Sequence, residues 1–172
     1  MQVEVRDPAG CTVPVGEVGE LHVRSEMLMA GYWHDLASTQ KVLRDGWYAT
    51  GDLACQGPDG YLRIVARVSD MIISGGFNIM PSEVEDVISA HPAVQEVAVY
   101  AASDSLWGEA VEAAVVLRPG WHATADELVE LCRSHLASFK KPRRIVFVSS
   151  IPRTSVGKVD KRVLRARAGA AG

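Results

Sequence analysis

Over the first third of the chain, apolar and polar residues alternate in short runs. Val3-Glu4-Val5, Gly19 to Arg24 and Gly60 to Val65 repeat every second position, the period of a half-buried strand. Pro8-Ala9-Gly10 falls between two runs and Pro58-Asp59-Gly60 opens another, so both predict turns, the second closing a hairpin. One short helix is expected around Leu36 to Leu43, with Ser38 as its cap and Asp45-Gly46 as its stop.

The pattern changes after residue 67. A strand over Asp70 to Ser74 meets Gly75-Gly76 and resumes at Phe77-Asn78-Ile79. Pro81 opens a helix whose Val84, Val87 and Ile88 share one face, and His91-Pro92 closes it. Val94 to Ala101, Glu112 to Leu117 and Ile145 to Val148 read as strands. Thr124 and Glu127 have the spacing of a capping box ahead of the stripe Leu128, Leu131, Cys132 and Leu136. The fold class expected is therefore α+β: a small β-rich subdomain over 1–68, then a compact unit over 69–172 with a three-stranded sheet and flanking helices. The boundary falls near Arg67 to Asp70. The first piece has few core helices and would be marginal alone. Ala168 to Gly172 is expected to fray.

Composition narrows the function classes. Of 172 residues, 48% are hydrophobic and 23% charged, enough to form a core and too few charges for a solvated tail. No apolar run approaches the ~20 residues of a bilayer span, and Met1 to Val5 reads as a strand, not as a leader. Cys11, Cys55 and Cys132 are odd in number, far apart and without a CxxC, which suits small buried thiols in a reducing, cytoplasmic setting. The five histidines (22, 34, 91, 122 and 135) have no ligand spacing, so no metal site is expected. Trp33, Trp47, Trp107 and Trp121 read as packing residues. The net charge of −3 hides an asymmetry: from Phe139 onward there are ten Lys/Arg against one acid, Asp160. Such an end suits an anionic partner or a merely solvated terminus. It lacks the interleaved aromatics of a nucleic-acid stacking platform, so no nucleic-acid partner is expected.

Three stretches crowd polar residues around glycine. In Gly46-Trp-Tyr-Ala-Thr-Gly-Asp52-Leu, Asp52 is read as sitting in a turn before a strand, where it accepts from vicinal hydroxyls or caps its own turn. In Arg67-Val-Ser-Asp70 followed by Ile73-Ser-Gly75-Gly76-Phe-Asn, paired glycines within a strand mark close approach of a ligand or a simple bulge. In Pro152-Arg-Thr-Ser-Val-Gly-Lys158-Val-Asp-Lys161, Lys158 offers a point charge to phosphate or carboxylate oxygens, or is an ordinary surface lysine.

Together with Pro81-Ser-Glu-Val-Glu85, these stretches resemble, in order and spacing, the C-terminal part of the adenylate-forming (AMP-binding) enzymes, over nearly the whole chain. Ser74-Gly-Gly-Phe-Asn-Ile79 and Phe139-Lys-Lys-Pro-Arg143 are similar to the acyl-CoA synthetase branch. The resemblance implies that 1–68 is the last subdomain of a large adenylation domain and 69–172 a mobile lid. It implies ATP, with Mg2+, as the nucleotide and coenzyme A as co-substrate. Asp52 would hold the ribose hydroxyls of ATP or AMP, and Arg67 would contact the same nucleotide. Lys158 would bridge the acid's carboxylate and the α-phosphate. Gly75 and Gly76 would line the pantetheine tunnel, with Phe139, Lys140, Lys141 and Arg143 at the CoA nucleotide. These basic residues also suit the C-terminal end of the preceding helix, whose dipole they would complement.

Joining a carboxylate to a polyphosphate sets anion against anion, which a placed cation offsets. Attack by a thiol needs a narrow tunnel instead, and glycines make one. One unit serving both steps has to rotate, and the resemblance implies Ser69, with Asp70 next to it, as the pivot. The chain departs from the family pattern at Ser69, usually Asp or Lys, and at Ala66, usually Gly. It carries neither the Ser/Thr/Gly-rich phosphate loop nor the acyl pocket. The expectation is thus a C-terminal fragment of an ATP-dependent acyl-CoA synthetase, inactive without its large domain. The alternative is a stand-alone CoA- or nucleotide-binding or partner-docking module.

Overall fold

The computed structural model describes residues 1–169. They fall into two compact units that divide between Ser69 and Asp70.

The first unit is built on one sheet. Strands β1 (Gln2–Arg6) and β2 (Val18–Arg24) pair antiparallel; α1 (Leu36–Val42) leads into β3 (Leu43–Arg44), β4 (Trp47–Gln56) and β5 (Leu62–Arg67). The order is β1-β2-β4-β3, with β5 also on β4. The cap of α1 is Asp35, whose carboxylate accepts the Ser38 amide at 2.9 Å. Ser38, expected as the cap, lies in the first turn and donates instead. Asp45 and Gly46, expected as the helix stop, have φ of +52° and +78°. That left-handed pair suits a tight hairpin, here joining β3 to β4. Only Val5, Leu53 and Ala54 are buried apolar residues among those described in this unit, whereas Met27, Trp33 and Leu36 stand in solvent. Trp33, anticipated as a packing residue, is 89% exposed and packs into no core among the described residues.

The second unit contains β6 (Ile72–Ser74), β7 (Phe77–Ile79), α2 (Pro81–Ser89), β8 (Val94–Asp104), β9 (Gly108–Leu117), α3 (Ala125–His135), β10 (Arg144–Phe147) and α4 (Lys161–Gly169). β8 and β9 form a long antiparallel pair, and β10 lies parallel on β9. These are the three expected strands. The β6–β7 hairpin joins them through one pairing, Ser74 with Gly108. Gly75-Gly76 therefore does not interrupt a strand; it reverses the chain, with φ of +56° and +84°.

Strand alternation gives the sheet two apolar faces. Val97, Val99, Val111, Ala113 and Val115 pack with Val84 and Ile88 of α2 and Leu128 and Cys132 of α3. Ala98, Tyr100, Ala114 and Val116 pack with Leu164 of α4. A register shift between Val94 and Glu96 lets Val94 join the first face although it lies an odd number of residues from Val97. α3 starts as its sequence implies: Thr124 Oγ1 accepts from the Glu127 amide and Glu127 Oε2 from the Thr124 amide. α4 was not anticipated, because Leu164 is its single fully buried side chain in an arginine-rich segment. It runs through Gly169, so Ala168 and Gly169 are helical where fraying was expected; the rest of that stretch, 170–172, lies outside the described residues. No described helix is long and apolar enough to cross a membrane.

Between β8, β9 and β10 lies a buried charged group. Glu112 is 8% exposed and receives hydrogen bonds from Tyr100 Oη at 3.2 Å and Arg144 Nη2 at 2.9 Å. Burial first, and the Glu112 charge after it, push the Tyr100 phenol up to about 12.

Two measurements check this core. Leu128→Ala should lower unfolding free energy by about 2–5 kcal/mol in urea titrations. In absorbance titrations one tyrosine should ionise near pH 12. Because the folded phenol ionises later than an unfolded one, its stabilisation is complete below pH ~10 and is lost as pH rises towards 12. Glu112→Gln should move that titration down without restoring an ordinary value, since burial is the larger cause.

Candidate active-site surfaces

In the first unit the β4–β5 register places Asp52 directly opposite Arg67. Arg67 Nε lies 3.0 Å from Asp52 Oδ1. Asp52 is inside β4, not in a turn before a strand; the turn-like feature is Gly51, at φ +74°, just ahead of it. Its carboxylate meets Arg67, and the Asp52 amide donates to Thr50 Oγ1 at 3.1 Å. Tyr48 lies close by, its phenol raised by a hydrogen bond with Tyr32, then by burial and by the charge on Asp52. Tyr48 belongs to the Gly46–Leu53 stretch singled out in the sequence, whereas Tyr32 was not singled out.

In the second unit two separate surfaces collect most of the remaining candidates. The first is a groove of about 340 Å³ lined by Ser74, Phe77, Trp107, Phe139, Lys141 and Arg143, among others. Phe77 and Phe139 stack with centroids 4.3 Å apart. The groove thus joins the flanks of the Gly75-Gly76 turn to Phe139-Lys-Lys-Pro-Arg143, which are more than sixty residues apart in sequence. Trp107 is the member that sequence reasoning missed. Its indole lies over Gly75, where an added Cβ would run into the ring, and its carbonyl accepts from the Gly75 amide at 3.0 Å. Asp104 sets this turn, with Oδ1 accepting from the Leu106 and Trp107 amides at 2.9 Å each and Oδ2 meeting Arg143 Nη1 at 2.7 Å. The two amides, with Arg143 adding to them, hold its carboxyl below the usual range.

The second surface is the loop over 152–160. The Thr154 amide donates to the Lys158 carbonyl at 2.7 Å and the Gly157 amide to the Thr154 carbonyl at 2.9 Å, with Gly157 at φ +81°. Lys158 is exposed on this loop, and its ammonium has no ion-pair partner among the described residues.

Most of the other basic side chains after Phe139 are already engaged. Lys140 pairs with Glu83, Arg143 with Asp104, Arg144 with Glu112, Arg153 with Glu96 and Lys161 with Glu85. The basic end is thus neutralised largely from within the unit. It is neither a loose solvated terminus nor a bare anion-binding patch. Ser69 and Asp70 lie in a short 3-10 turn, Val68–Asp70, where the two units divide. Among the described residues no group of three or more His, Cys, Asp or Glu is placed to hold a metal.

Residues 83–158 match the family described as AMP-binding enzyme C-terminal domain. A medium/long-chain-fatty-acid–CoA ligase of Mycobacterium tuberculosis is 45% identical over 96% of the chain, which covers 30% of that protein. This chain carries the AMP-binding enzyme C-terminal domain. A feruloyl-CoA synthase of an Amycolatopsis species is 42% identical over 97% of the chain and 34% of its own length. Among solved structures, the amide bond synthetase of Marinactinospora thermotolerans superposes with a TM-score of 0.90 at 44% identity, over 96% of the chain and 34% of the other. The chain therefore spans about a third of these AMP-binding enzymes, in their C-terminal part.

The two turn glycines can be separated by substitution. At Gly76 a Cβ meets nothing within 4 Å, so Gly76→Ala should cost only the ~1–2 kcal/mol of left-handed backbone strain. Gly75→Ala adds the Trp107 collision and should cost more in urea unfolding. Only Gly75→Ala should shift the Trp107 indole resonance strongly in NMR spectra.

Proposed function

We propose that this chain is the C-terminal part of an ATP-dependent acyl-CoA synthetase, converting a carboxylic acid, ATP and coenzyme A to acyl-CoA, AMP and pyrophosphate. The observation that carries this reading is the placement of two chemically distinct surfaces at opposite ends of one strand. The Lys158 loop is tied to Glu96 near the start of β8, and the Gly75–Trp107–Phe139 groove adjoins Asp104 at its end. Eight residues of strand separate them by about 26 Å. Both cannot face one acyl carbon together.

In the first half-reaction a carboxylate oxygen attacks the α-phosphorus and pyrophosphate leaves. Lys158 places a positive charge between the two anions. At about 4 Å such a charge is worth up to ~4 kcal/mol at an effective dielectric of ~20. Asp52 accepts from the ribose hydroxyls, and Arg67 fixes its orientation and contacts the nucleotide. Magnesium enters as part of the ATP complex. In the second half-reaction the CoA sulfur attacks the acyl carbon and AMP leaves. Gly75 and Gly76 admit the pantetheine arm, Phe139 with Phe77 offers a ring face to adenine, and Lys141 and Arg143 meet the phosphates. Lys140, held by Glu83, contributes more to fixing this segment than to the ligand.

Residues 1–68 act as the last subdomain of the large adenylation domain and 69–172 as the lid, with Ser69 and Asp70 as pivot. The small core of the first unit and its exposed Trp33, Met27 and Leu36 support that reading, because a larger domain would cover them. The phosphate loop and acyl pocket belong to that domain, so this length of chain is inactive alone. Its three free thiols suit a cytoplasmic setting. An amine acceptor is a second reading, favoured by the likeness to the amide bond synthetase. The stacked phenylalanines and Lys141 beside the glycine turn weigh towards CoA.

In the full-length enzyme, Lys158→Ala should slow adenylate formation by about 10²–10³-fold while sparing thiolysis of supplied acyl-adenylate. Equal loss in both steps would refute the division of labour. By calorimetry the chain should bind CoA more tightly than dephospho-CoA, and Lys141→Ala should remove the difference. Pyrophosphate release from ATP and an acid by this chain alone would overturn the claim that it is inactive alone.

A further inference from the structure

We infer that Arg153, held by Glu96, is a positioning residue for the Lys158 ammonium; this rests on the adenylation role proposed for Lys158. The loop over 152–160 carries its lysine on exposed backbone, with Ser155, Val156 and Gly157 all in solvent. Arg153 reaches across it. Its Nη1 donates to the Gly157 carbonyl at 2.8 Å, at the residue directly before Lys158. Its Nη2 pairs with Glu96 on β8. One planar guanidinium thus spans from the loop tip to the sheet, a fork that a single ammonium cannot reproduce.

Glu96 is itself placed for this task. It follows the register shift in β8, and ordinary alternation sets it on the side of Ala98 and Tyr100, the α4 face, away from the α2 and α3 core. A second tie acts from the far side of the loop. Lys161, where α4 begins, donates to Glu85 at 3.0 Å, and the same Glu85 oxygen accepts from the Val99 amide on the open edge of β8. The loop is therefore anchored to β8 at both ends, while Lys158 between them projects freely.

Arg153 is 51% exposed, and half-exposed ion pairs add little to global stability. Its effect falls on where the ammonium sits. Misplacement by about 1 Å costs up to ~10²-fold in rate when a group must meet a transition state.

The test uses the full-length enzyme and measures both half-reactions, with thermal midpoints as a control for folding. Arg153→Ala should lower the adenylation kcat by about 10–100-fold, leave KM for ATP nearly unchanged and spare thiolysis of supplied acyl-adenylate. Arg153→Lys should restore part of the loss, and Glu96→Gln should give a smaller loss of the same kind. In a Lys158→Ala background, Arg153→Ala should cost nothing further. Equal loss in both half-reactions, or an undiminished loss in the Lys158→Ala background, overturns the positioning role while leaving that of Lys158 intact. Unchanged adenylation in Lys158→Ala alone overturns both.

Discussion

The second unit depends on ion pairing between an acidic body and a basic end. Glu83 and Glu85 on α2, Glu96 and Asp104 on β8, and Glu112 on β9 meet Lys140, Lys161, Arg153, Arg143 and Arg144, each more than thirty residues further along the chain. Taken singly, the more exposed of these pairs are worth ~0–1 kcal/mol, far less than the apolar faces contribute. Their value lies in selection. Hydrophobic packing tolerates sliding, whereas a guanidinium set against one carboxylate does not. The late segments, which hold few buried apolar residues, are each met by one or more of these pairs. Ile145, Ile151 and Leu164 then complete the two cores.

This pairing changes the meaning of the charge asymmetry. A basic end on an acidic body, read as composition, suggests an external anion. Folded, it is mostly self-neutralised, and the cations that keep an open face are few. Lys158 on its loop and Lys141 in the groove have no ion-pair partner among the described residues, and both stand where chemistry with anions is proposed. A unit that spent its charges indiscriminately on solvent would bind phosphate at many places. One that pairs most of them internally leaves a sparse pattern, which is a better basis for discrimination.

Much of this was legible in the chain. Alternation and capping chemistry located β8, β9, β10, α2 and α3, because each carries a clear period or a Thr124–Glu127 type signal. Turn chemistry was legible in kind but not always in place. Asp45-Gly46 and Gly75-Gly76 are both left-handed pairs, yet a helix stop, a bulge and a hairpin share that signature until the partner strand is known. The α4 helix escaped because a single leucine among arginines leaves almost no apolar period. Trp107 escaped for a different reason. Its role comes from a backbone contact with Gly75, thirty-two positions earlier, and no local pattern encodes that. The resemblance put Asp52 and Arg67 at one nucleotide, and the β4–β5 register shows how the chain sets them opposite each other.

The paired strands β8 and β9 tie these observations together mechanically. A long antiparallel pair covered by α2 and α3 on one face and α4 on the other is stiff, so its two ends move as one body. Asp104 organises one end, holding the Trp107 turn and Arg143. Glu96 holds the other, through Arg153. A rigid member with a differently equipped carboxylate at each end cannot bring both to a single reacting carbon by bending. In the function proposed above it does so by turning as a whole, with Ser69 and Asp70, where the two units divide, as the proposed pivot. The stiffness of the sheet comes from its two packed faces, and the proposed pivot follows from the separation of the two carboxylates along β8.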